Sequence, residues 1–270
     1  MPEVIDDPSS AELLSALEAN MIAFWLPYGR ALGSRFASDA TVTWFYTGVA
    51  HPLFNGVVSA RLPPQDVRPL VDTLAGLIRD SGAPALWWVG PLSLPDDLGA
   101  TLEQTGLQAA GAAPAMAIDL SRLPDAPPPI ERFVVKPVEG SDAQALWART
   151  AALGSELPPD AADGLAALET RLSDPTYRAQ RRYIGYLDGA PVAASALVLE
   201  SGVAGIYAVA TAAEARNRGI GRFMTLAPFI AARDEGYRVG ILQASSMGYP
   251  LYAKLGFTDV GSYRLYLQTA

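Results

Sequence analysis

The chain has 270 residues, of which half are hydrophobic and 18% are charged, with a formal net charge of −8. This composition predicts a folded protein with a substantial core rather than a disordered chain, and the length fits two domains. The negative charge and the lack of a basic run argue against nucleic-acid binding, which depends on contacts between Lys or Arg and phosphate. The acidity would suit a cationic substrate, although solubility is its more common reason.

The chain contains no cysteine and a single histidine, His51. The lack of cysteine excludes disulfides, zinc–thiolate sites and a cysteine nucleophile. We expect no metal site, because no group of Asp and Glu has ligand spacing, and no Ser-His-Asp hydrolase, because no G-x-S-x-G turn is present. There is no apolar run of about 18 residues to span a membrane and no secretory signal at the N-terminus, so we expect a cytoplasmic protein.

Helical and strand patterns alternate through the N-terminal half. The predicted elements are a helix at 9–24, strands at 40–46 and 55–61, a helix at 65–79, a strand at 84–89, a short helix at 96–104 and a strand at 113–120. The run LPDAPPPIE at 123–131 then predicts an extended linker, because three consecutive prolines fit neither a helix nor a central strand. We therefore predict two domains, at residues 1–122 and 131–270.

The C-terminal half alternates more clearly. The predicted elements are a strand at 131–138, helices at 141–153 and 160–172, strands at 181–187, 191–199 and 203–210, a helix at 219–234, a strand at 239–244, a short helix at 248–254, and strands at 257–261 and 263–268. Asp188-Gly189 between two apolar runs predicts a hairpin, and Pro228 predicts a kink in the helix that contains it. The pattern indicates an α/β fold with mixed sheets flanked by helices.

The two halves end in similar segments. Residues 102–107 (LEQTGL) and 252–257 (YAKLGF) share a pattern of apolar positions and a glycine, and each is followed by a short and then a longer strand pattern. We interpret them as two divergent copies of one fold, with chance similarity of two short endings as the alternative. Leu102 stands in the first copy where Tyr252 stands in the second.

The segment Arg216-Asn217-Arg218-Gly219-Ile220-Gly221 has the chemistry of a phosphate-binding turn. It follows an apolar strand and opens a helix, whose N-terminus offers unpaired N–H groups and a partial positive charge. Glycines let phosphates approach these amides closely. The spacing does not fit a P-loop, and neither a third glycine nor a ribose-binding acid supports a dinucleotide fold.

Residues 209–221 (VATAAEARNRGIG) resemble the cofactor motif of the GNAT N-acetyltransferase superfamily, in which a turn after the fourth strand binds the pyrophosphate of acetyl-CoA. Downstream, Gln243-Ala244-Ser245-Ser246 and the segment 251–257 (LYAKLGF) resemble the same family's later signature. The resemblance covers residues 131–270 well and residues 1–125 only as a degenerate copy. It implies two tandem GNAT-like domains, the first of which lacks the cofactor turn.

The resemblance implies a role for each matching residue. Val209, Ala210 and Thr211 would pair with pantetheine and fix the thioester, and a backbone N–H near Val209 or Ala210 would polarise the thioester carbonyl. Tyr252 would protonate the departing thiolate as general acid. The residues implied to bind acetyl-CoA, the acyl-donor substrate, are Val209, Ala210, Thr211, Arg216, Asn217, Arg218, Gly219, Ile220, Gly221 and Arg222.

Several of these residues have a structural alternative. Tyr252 fits an apolar helix face, Arg216 fits a brace within the loop, Ser245 and Ser246 fit a helix cap, and Gly256 fits a helix C-cap. The strand at 203–210 lacks the glutamate that many family members use as general base. Glu200, Tyr183, Tyr207 or a water chain are the candidates, and each residue has a plain structural explanation.

The resemblance implies transfer of an acetyl group from acetyl-CoA to an amine by direct attack in a ternary complex. The acceptor is a small-molecule or protein amine that the sequence does not identify, and the sequence does not indicate the oligomeric state. A non-catalytic CoA-binding sensor or regulatory module is the alternative function. Six aromatic residues of the N-terminal half are expected to fill a core or, in part, to line an acceptor pocket between the halves: Trp25, Trp44, Phe45, Tyr46, Trp87 and Trp88.

Overall fold

The computed structural model describes residues 4–9, 11–172 and 180–269. The helices are α1 (Leu13–Arg30), α2 (Pro64–Ser81), α3 (Leu98–Gln104), α4 (Ser141–Gly154), α5 (Pro159–Arg171), α6 (Ile220–Asp234) and α7 (Tyr249–Leu255). The strands are β1 (Arg35–Ser38), β2 (Val42–Tyr46), β3 (Asn55–Ala60), β4 (Ala85–Val89), β5 (Gln108–Asp119), β6 (Phe133–Pro137), β7 (Gln180–Leu187), β8 (Ala190–Glu200), β9 (Val203–Thr211), β10 (Val239–Gln243) and β11 (Thr258–Gln268). The fold is α/β, as predicted.

The two expected mixed sheets are joined into one sheet of eleven strands. Their order is β1-β2-β3-β4-β11-β5-β10-β9-β8-β7-β6. The last strands of the two halves are exchanged, because β5 from the N-terminal half pairs with β10 while β11 from the C-terminal half pairs with β4. β5 and β11 also pair with each other along most of their lengths. The halves are therefore tied together by backbone hydrogen bonds at the centre of the sheet.

β11 corrects one prediction, since the two strands expected at 257–261 and 263–268 form a single strand. Its register against β5 shifts between Asp259 and Gly261. Such a β-bulge absorbs one extra residue while the pairing continues. β5 likewise begins at Gln108 rather than at residue 113. Residues 109–112 are alanine and glycine, which carry little strand preference, and this part of the strand is held in the sheet by pairing with β11.

The endings of the two halves fold alike, as the sequence predicted. Gly106 and Gly256 follow α3 and α7 with φ of 99° and 95°. The N–H of Leu107 donates to Leu102 O and the N–H of Phe257 donates to Tyr252 O, both at 3.1 Å. This is the Schellman arrangement, which needs a left-handed residue after the helix and so favours glycine.

α1 differs from its predicted bounds at both ends. A turn precedes it, in which Asp7 Oδ1 accepts from the N–H of Ser9 at 2.8 Å, and part of the predicted start at residue 10 lies outside the described residues. At the other end the helix continues past Pro27 to Arg30. Proline supplies no N–H to the carbonyl four residues earlier, and here Gln180 Nε2 donates to Ala23 O at 2.6 Å instead.

Helices cover both faces of the sheet. α1, α4 and α5 share one core that takes side chains from both halves. α2 and α3 pack in a second core, and α6 and α7 pack in a third. α6 continues through Pro228. Adjacent residues of a strand point to opposite faces, so on β4 Trp87 lies in the second core while Trp88 packs against the first. Within residues 4–9, 11–172 and 180–269, the helices lack the length and apolar character that crossing a membrane requires.

The exchange of β5 and β11 predicts that the C-terminal half depends on the N-terminal half for folding. A chain of residues 124–270 alone loses β5, which separates β10 from β11. We expect it to show no cooperative thermal transition by circular dichroism, and we expect co-expressed chains of residues 1–123 and 124–270 to recover one. A cooperative transition of the isolated, monomeric C-terminal half would contradict this.

Candidate functional site

The site forms where two parallel strands separate. β9 and β10 pair only at Ala204 with Gly240 and at Gly205 with Ile241. Beyond these pairs, β9 continues to Thr211 against β8 alone, and β10 continues against β5. The two strands therefore leave an opening at their carboxyl ends, where ligands commonly bind in α/β sheets.

A bulge shapes the β9 side of this opening. Ala208 and Val209 lie opposite the single residue Ser195 of β8, because the register shifts between Ala194 and Ala196. Ala208 has φ of 50°, a left-handed conformation that is uncommon for a residue with a side chain. The bulge interrupts the ladder to β8, and Val209 within it lines the opening.

The N-terminus of α6 lies beside the bulge. Asn217 and Gly219 have φ of 63° and 80°, and Gly219 is the N-cap residue of the helix. The first helical bond is from the N–H of Phe223 to Gly219 O, so the amides of residues 220–222 precede it. A groove of about 330 Å³ is lined here by Gly154, Val209, Ala210, Thr211, Ala215, Arg216, Asn217, Gly219, Ile220, Gly221, Arg222, Ser245, Met247, Gly248, Leu251 and Tyr252.

The structure brings together nearly all the residues that the sequence assigned to acetyl-CoA. Nine of the ten line this one groove, and the exception is Arg218, which is exposed on the outer side of the turn. A side chain on Gly221 would come within 3.4 Å of Leu251 on the opposite wall, so a larger residue would narrow the groove. The free amides, the helix N-terminus and the side chain of Arg222 fit a phosphate group.

Arg216 holds the turn in place and also lines the groove. Its Nε donates to Thr211 O and its Nη2 to Gly154 O, both at 3.1 Å. Its Nη1 lies 2.7 Å from a carboxylate oxygen of Glu156. Arg216 thus joins the end of β9 to the end of α4. Most of its contacts therefore fit the structural alternative, in which it braces the loop.

Tyr252 separates the groove from a second cavity and lines both. Its side chain is 7% exposed and lies edge-on to Phe257, with 5.7 Å between ring centroids. Burial raises the pKa of the Tyr252 hydroxyl to about 12, partly offset by hydrogen bonding with Thr225. The hydroxyl therefore remains protonated at neutral pH, as a proton donor must.

The second cavity has a volume of about 280 Å³ and is walled largely by aromatic rings. It is lined by Phe24, Trp25, Tyr28, Leu53, Phe54, Trp88, Trp147, Ala151, Ser155, Leu157, Leu165, Ile206, Tyr207, Ala208, Val209, Gln243, Ser245 and Tyr252. Six of these residues, from Phe24 to Trp88, come from the N-terminal half. The cavity therefore lies between the two halves.

The six N-terminal aromatics divide between the two expected roles. Trp25 and Trp88 line the cavity. Phe45 stacks on Trp25 from behind, with 5.8 Å between ring centroids, and Trp44 packs in the second core. The remaining two side chains are buried in the core, and the polar atom of each forms a hydrogen bond there. The Tyr46 hydroxyl donates to Ala83 O at 2.5 Å, and Trp87 Nε1 donates to Gln268 Oε1 at 2.9 Å.

None of the three residues that the sequence offered as general base is positioned to act as one at the opening. Tyr207 lines the cavity, but its hydroxyl donates to Asn20 Oδ1 at 2.8 Å, and burial holds its pKa well above the usual value. Glu200 lies at the opposite end of β8, where it accepts from the N–H of Ser201 at 3.1 Å. Tyr183 packs beneath α6 and lines neither cavity.

Two polar features of the site were not identified from the sequence. Asn20 Nδ2 donates to the carbonyls of Val198, Glu200 and Val203 at 3.1 to 3.2 Å, which fixes α1 against the β8–β9 hairpin. Glu169 and Arg182 form a buried ion pair. Asn20 and Glu169 lie in helical patterns with apolar neighbours, and nothing in the sequence separates them from surface positions.

The remaining polar candidates have structural roles. Ser245 Oγ accepts from the N–H of Gly248 at 3.1 Å, in keeping with a cap before α7. His51 Nδ1 accepts from the N–H of Leu53 at 3.3 Å. Among the described residues, no three His, Asp or Glu side chains converge to hold a metal ion.

The opening between strands has been closed in the N-terminal half. β3 and β4 pair in parallel at two positions, as β9 and β10 do. Here, however, the chain after β4 returns to β3, with the N–H of Leu94 donating to Ala60 O at 2.9 Å and the N–H of Leu62 donating to Leu94 O at 3.1 Å. These bonds bridge the two strand ends, and α2 then begins at Pro64 without a glycine turn.

The buried tyrosines predict a loss of stability in alkali. Burial raises the pKa of Tyr28 and Tyr207 well above the usual value and that of Tyr252 to about 12. Such groups ionise more easily in the unfolded chain, near pH 10, so their contribution to stability is present below that pH and lost above it. We expect each of these tyrosines to lower the free energy of unfolding by about 1.4 kcal/mol for each pH unit above about 10. Thermal unfolding followed over this pH range should therefore show a falling Tm. A Tm that stays constant to about pH 11 would contradict the buried placement.

No protein-family model matches the chain, and no curated protein matches it. Solved structures do match. A GCN5-related N-acetyltransferase from Kribbella flavida has a TM-score of 0.64 and 16% identity, over 93% of this chain and 96% of that chain. A tandem GNAT protein from the clavulanic acid biosynthesis pathway has a TM-score of 0.60 and 15% identity, over 93% of this chain and 87% of that chain. A GCN5-related N-acetyltransferase from Sphaerobacter thermophilus has a TM-score of 0.58 and 17% identity, over 87% of this chain and 75% of that chain.

These similarities extend over both halves, although few residues are identical. The glycine turn lies where the sequence motif placed it, after β9 and at the start of α6. The resemblance is therefore confirmed at the level of the fold, and the chain has the tandem fold of the GCN5-related N-acetyltransferase (GNAT) superfamily.

Proposed function

We propose that the protein transfers an acetyl group from acetyl-CoA to an amine by direct attack within a ternary complex. The observation that carries the proposal is the meeting of two cavities at Tyr252: a groove with the features of a phosphate site on one side, and an aromatic cavity on the other. Two substrates bound in these cavities would meet at the bulge of β9, because Val209 also lines both.

The groove residues would hold the acyl donor. The amides at the start of α6 and the side chain of Arg222 would bind the pyrophosphate, and Val209 to Thr211 would pair with pantetheine. Acetyl-CoA supplies an activated thioester when bound. A backbone N–H at the bulge, near Val209 or Ala210, would donate to the thioester carbonyl and stabilise its developing negative charge.

Tyr252 would provide the proton for the departing thiolate. Its hydroxyl stays protonated across the neutral range because burial raises its pKa to about 12. A buried phenol beside the site of C–S cleavage would donate without competition from water. We propose that the acceptor enters through the aromatic cavity, whether it is a small molecule or the amine of a protein.

A non-catalytic CoA-binding module remains the second candidate. It is favoured by the absence of any Asp or Glu among the described residues that line the two cavities, since a carboxylate is a common general base. The position of Tyr252 between the cavities favours the enzyme instead. Turnover separates the two functions, because only the enzyme releases CoA when an amine is added.

Replacing Tyr252 with phenylalanine tests the general-acid role. We expect Y252F to lower kcat about 100- to 10,000-fold while the Kd for acetyl-CoA, measured by calorimetry, changes little. Y249F is the matched control, because Tyr249 lies on the same helix and lines neither cavity. An unchanged kcat in Y252F would refute the general-acid assignment.

A negative charge at the glycine turn tests the binding groove. G219E should weaken acetyl-CoA binding at least tenfold. The reason is electrostatic repulsion between the new carboxylate and the pyrophosphate, which should reduce the favourable binding free energy by about 1.4 kcal/mol or more. G189E is its control: Gly189 has φ of 83°, close to the 80° of Gly219, but lies in the β7–β8 hairpin turn, away from the groove. Equal affinities of G219E and G189E would contradict the assignment of the groove.

A further inference from the structure

We propose that the acceptor is a compact aromatic amine that enters the aromatic cavity as the neutral free base. The inference deepens the proposed function, since it names the substrate class of that same site. It rests on three features of the cavity: its ring-lined walls, the absence of a charged group among the described lining residues, and the mutual pairing of two buried charges beside the walls.

Aromatic rings form much of the cavity wall. Phe24 and Tyr207 stack with 4.3 Å between their centroids and 7° between their planes, and Trp25 lies edge-on to Phe24 at 4.8 Å. Trp88 and Trp147 line other parts of the cavity. Aromatic groups gain specific stacking and edge contacts in such surroundings. A volume of about 280 Å³ is at the lower end for ligand pockets, which suits a compact ligand.

No described residue that lines the cavity is Asp, Glu, Lys, Arg or His. Two buried charges beside the wall are Glu169 and Arg182, which are 0% and 6% exposed and pair with each other. Glu169 accepts from the Tyr28 hydroxyl, and the Arg182 guanidinium lies 5.1 Å from the centroid of the Trp147 ring. Both charges therefore lie behind rings of the wall and are already compensated.

An ammonium group in this cavity would lose its water without gaining a counter-ion. Ring faces attract cations, but this attraction is smaller than the cost of dehydrating an unpaired charge. Burial without a partner lowers the pKa of an amine and favours its neutral form. The cavity therefore discriminates against polyamines, which carry several charges.

This selection accounts for the missing base. A neutral amine has a free electron pair and can attack the thioester carbon directly. The new C–N bond forms as the C–S bond breaks, the nitrogen releases one proton to water, and the sulfur takes one from Tyr252, which regains a proton from solvent. No carboxylate is needed to deprotonate the amine before it attacks.

The ionisable groups that face the cavity are Tyr28 from α1, Tyr207 from β9 and Tyr252 from α7, with Glu169 of α5 and Arg182 of β7 behind them. Burial raises the pKa of the first two tyrosines well above the usual value and that of Tyr252 to about 12. The tyrosines therefore stay neutral between about pH 7 and pH 9. A change in amine affinity over that range reports the protonation of the amine.

The test is a titration followed by intrinsic fluorescence, because three of the five tryptophans line the cavity. The ligands are 2-phenylethylamine, its uncharged analogue 2-phenylethanol, and spermidine, each with and without CoA. Between about pH 7 and pH 9, the Kd of phenylethylamine should fall about tenfold per pH unit, as its neutral fraction rises. The Kd of phenylethanol should not change, and spermidine should bind at least tenfold more weakly.

W88A should weaken phenylethylamine binding about tenfold or more, whereas W44A should not, since Trp44 is also half-buried in the N-terminal half but does not line the cavity. A pH-independent Kd for phenylethylamine, equal binding of spermidine, or equal effects of the two variants would overturn the proposal. Because amine binding is measured directly, it is independent of turnover. Loss of acetyl-CoA binding with the expected amine binding would instead refute the transferase function.

Discussion

The pairing of β9 with β10 ends after two residue pairs, and the arrangement of the site depends on this early separation. The gap gives α6 room to present its first amides beside the bulge at Ala208, and it lets Tyr252 of α7 reach the bulge from the other side. Where the same gap is bridged, between β3 and β4, the helix that follows begins without a glycine turn. The difference between the two halves is thus one of backbone hydrogen bonding as well as of sequence motifs.

The N-terminal half has lost the glycine turn but remains part of the site. Its strand β5 completes the sheet beside β10, and its helix α1 lies across β8 and β9, where Asn20 satisfies three carbonyls. Buried carbonyls without a partner destabilise a fold, so this contact fixes where α1 sits. Phe24, Trp25 and Tyr28 then extend from α1 into the aromatic cavity. A structural contact between the halves therefore also determines the shape of the aromatic cavity.

Local signals in the sequence predicted most of the elements, although not β1, and nine of the residues that line the groove. The glycine turn at 216–221 and the ending at 252–257 depend on backbone conformations that only certain residues favour, and they lie close together along the chain. The exchange of β5 and β11 depends on pairing between distant strands, which a strand pattern does not specify. The aromatic cavity was harder to predict because a ring that lines a pocket and a ring that fills a core have the same pattern. Trp87 and Trp88 are adjacent, and only the direction of each side chain separates their roles.

We propose that one half of this tandem fold binds acetyl-CoA while the other half, with its gap closed, does not. Calorimetric titration of acetyl-CoA into the intact chain tests it most directly. We predict one binding site per chain, because the strand gap before α2 is bridged at Leu94 and α2 begins without a glycine turn. A stoichiometry of two would show that the N-terminal half keeps a site despite the bridge at Leu94. No binding up to millimolar acetyl-CoA, at which even weak cofactor binding is detected, would contradict the assignment of the groove and with it the proposed transfer.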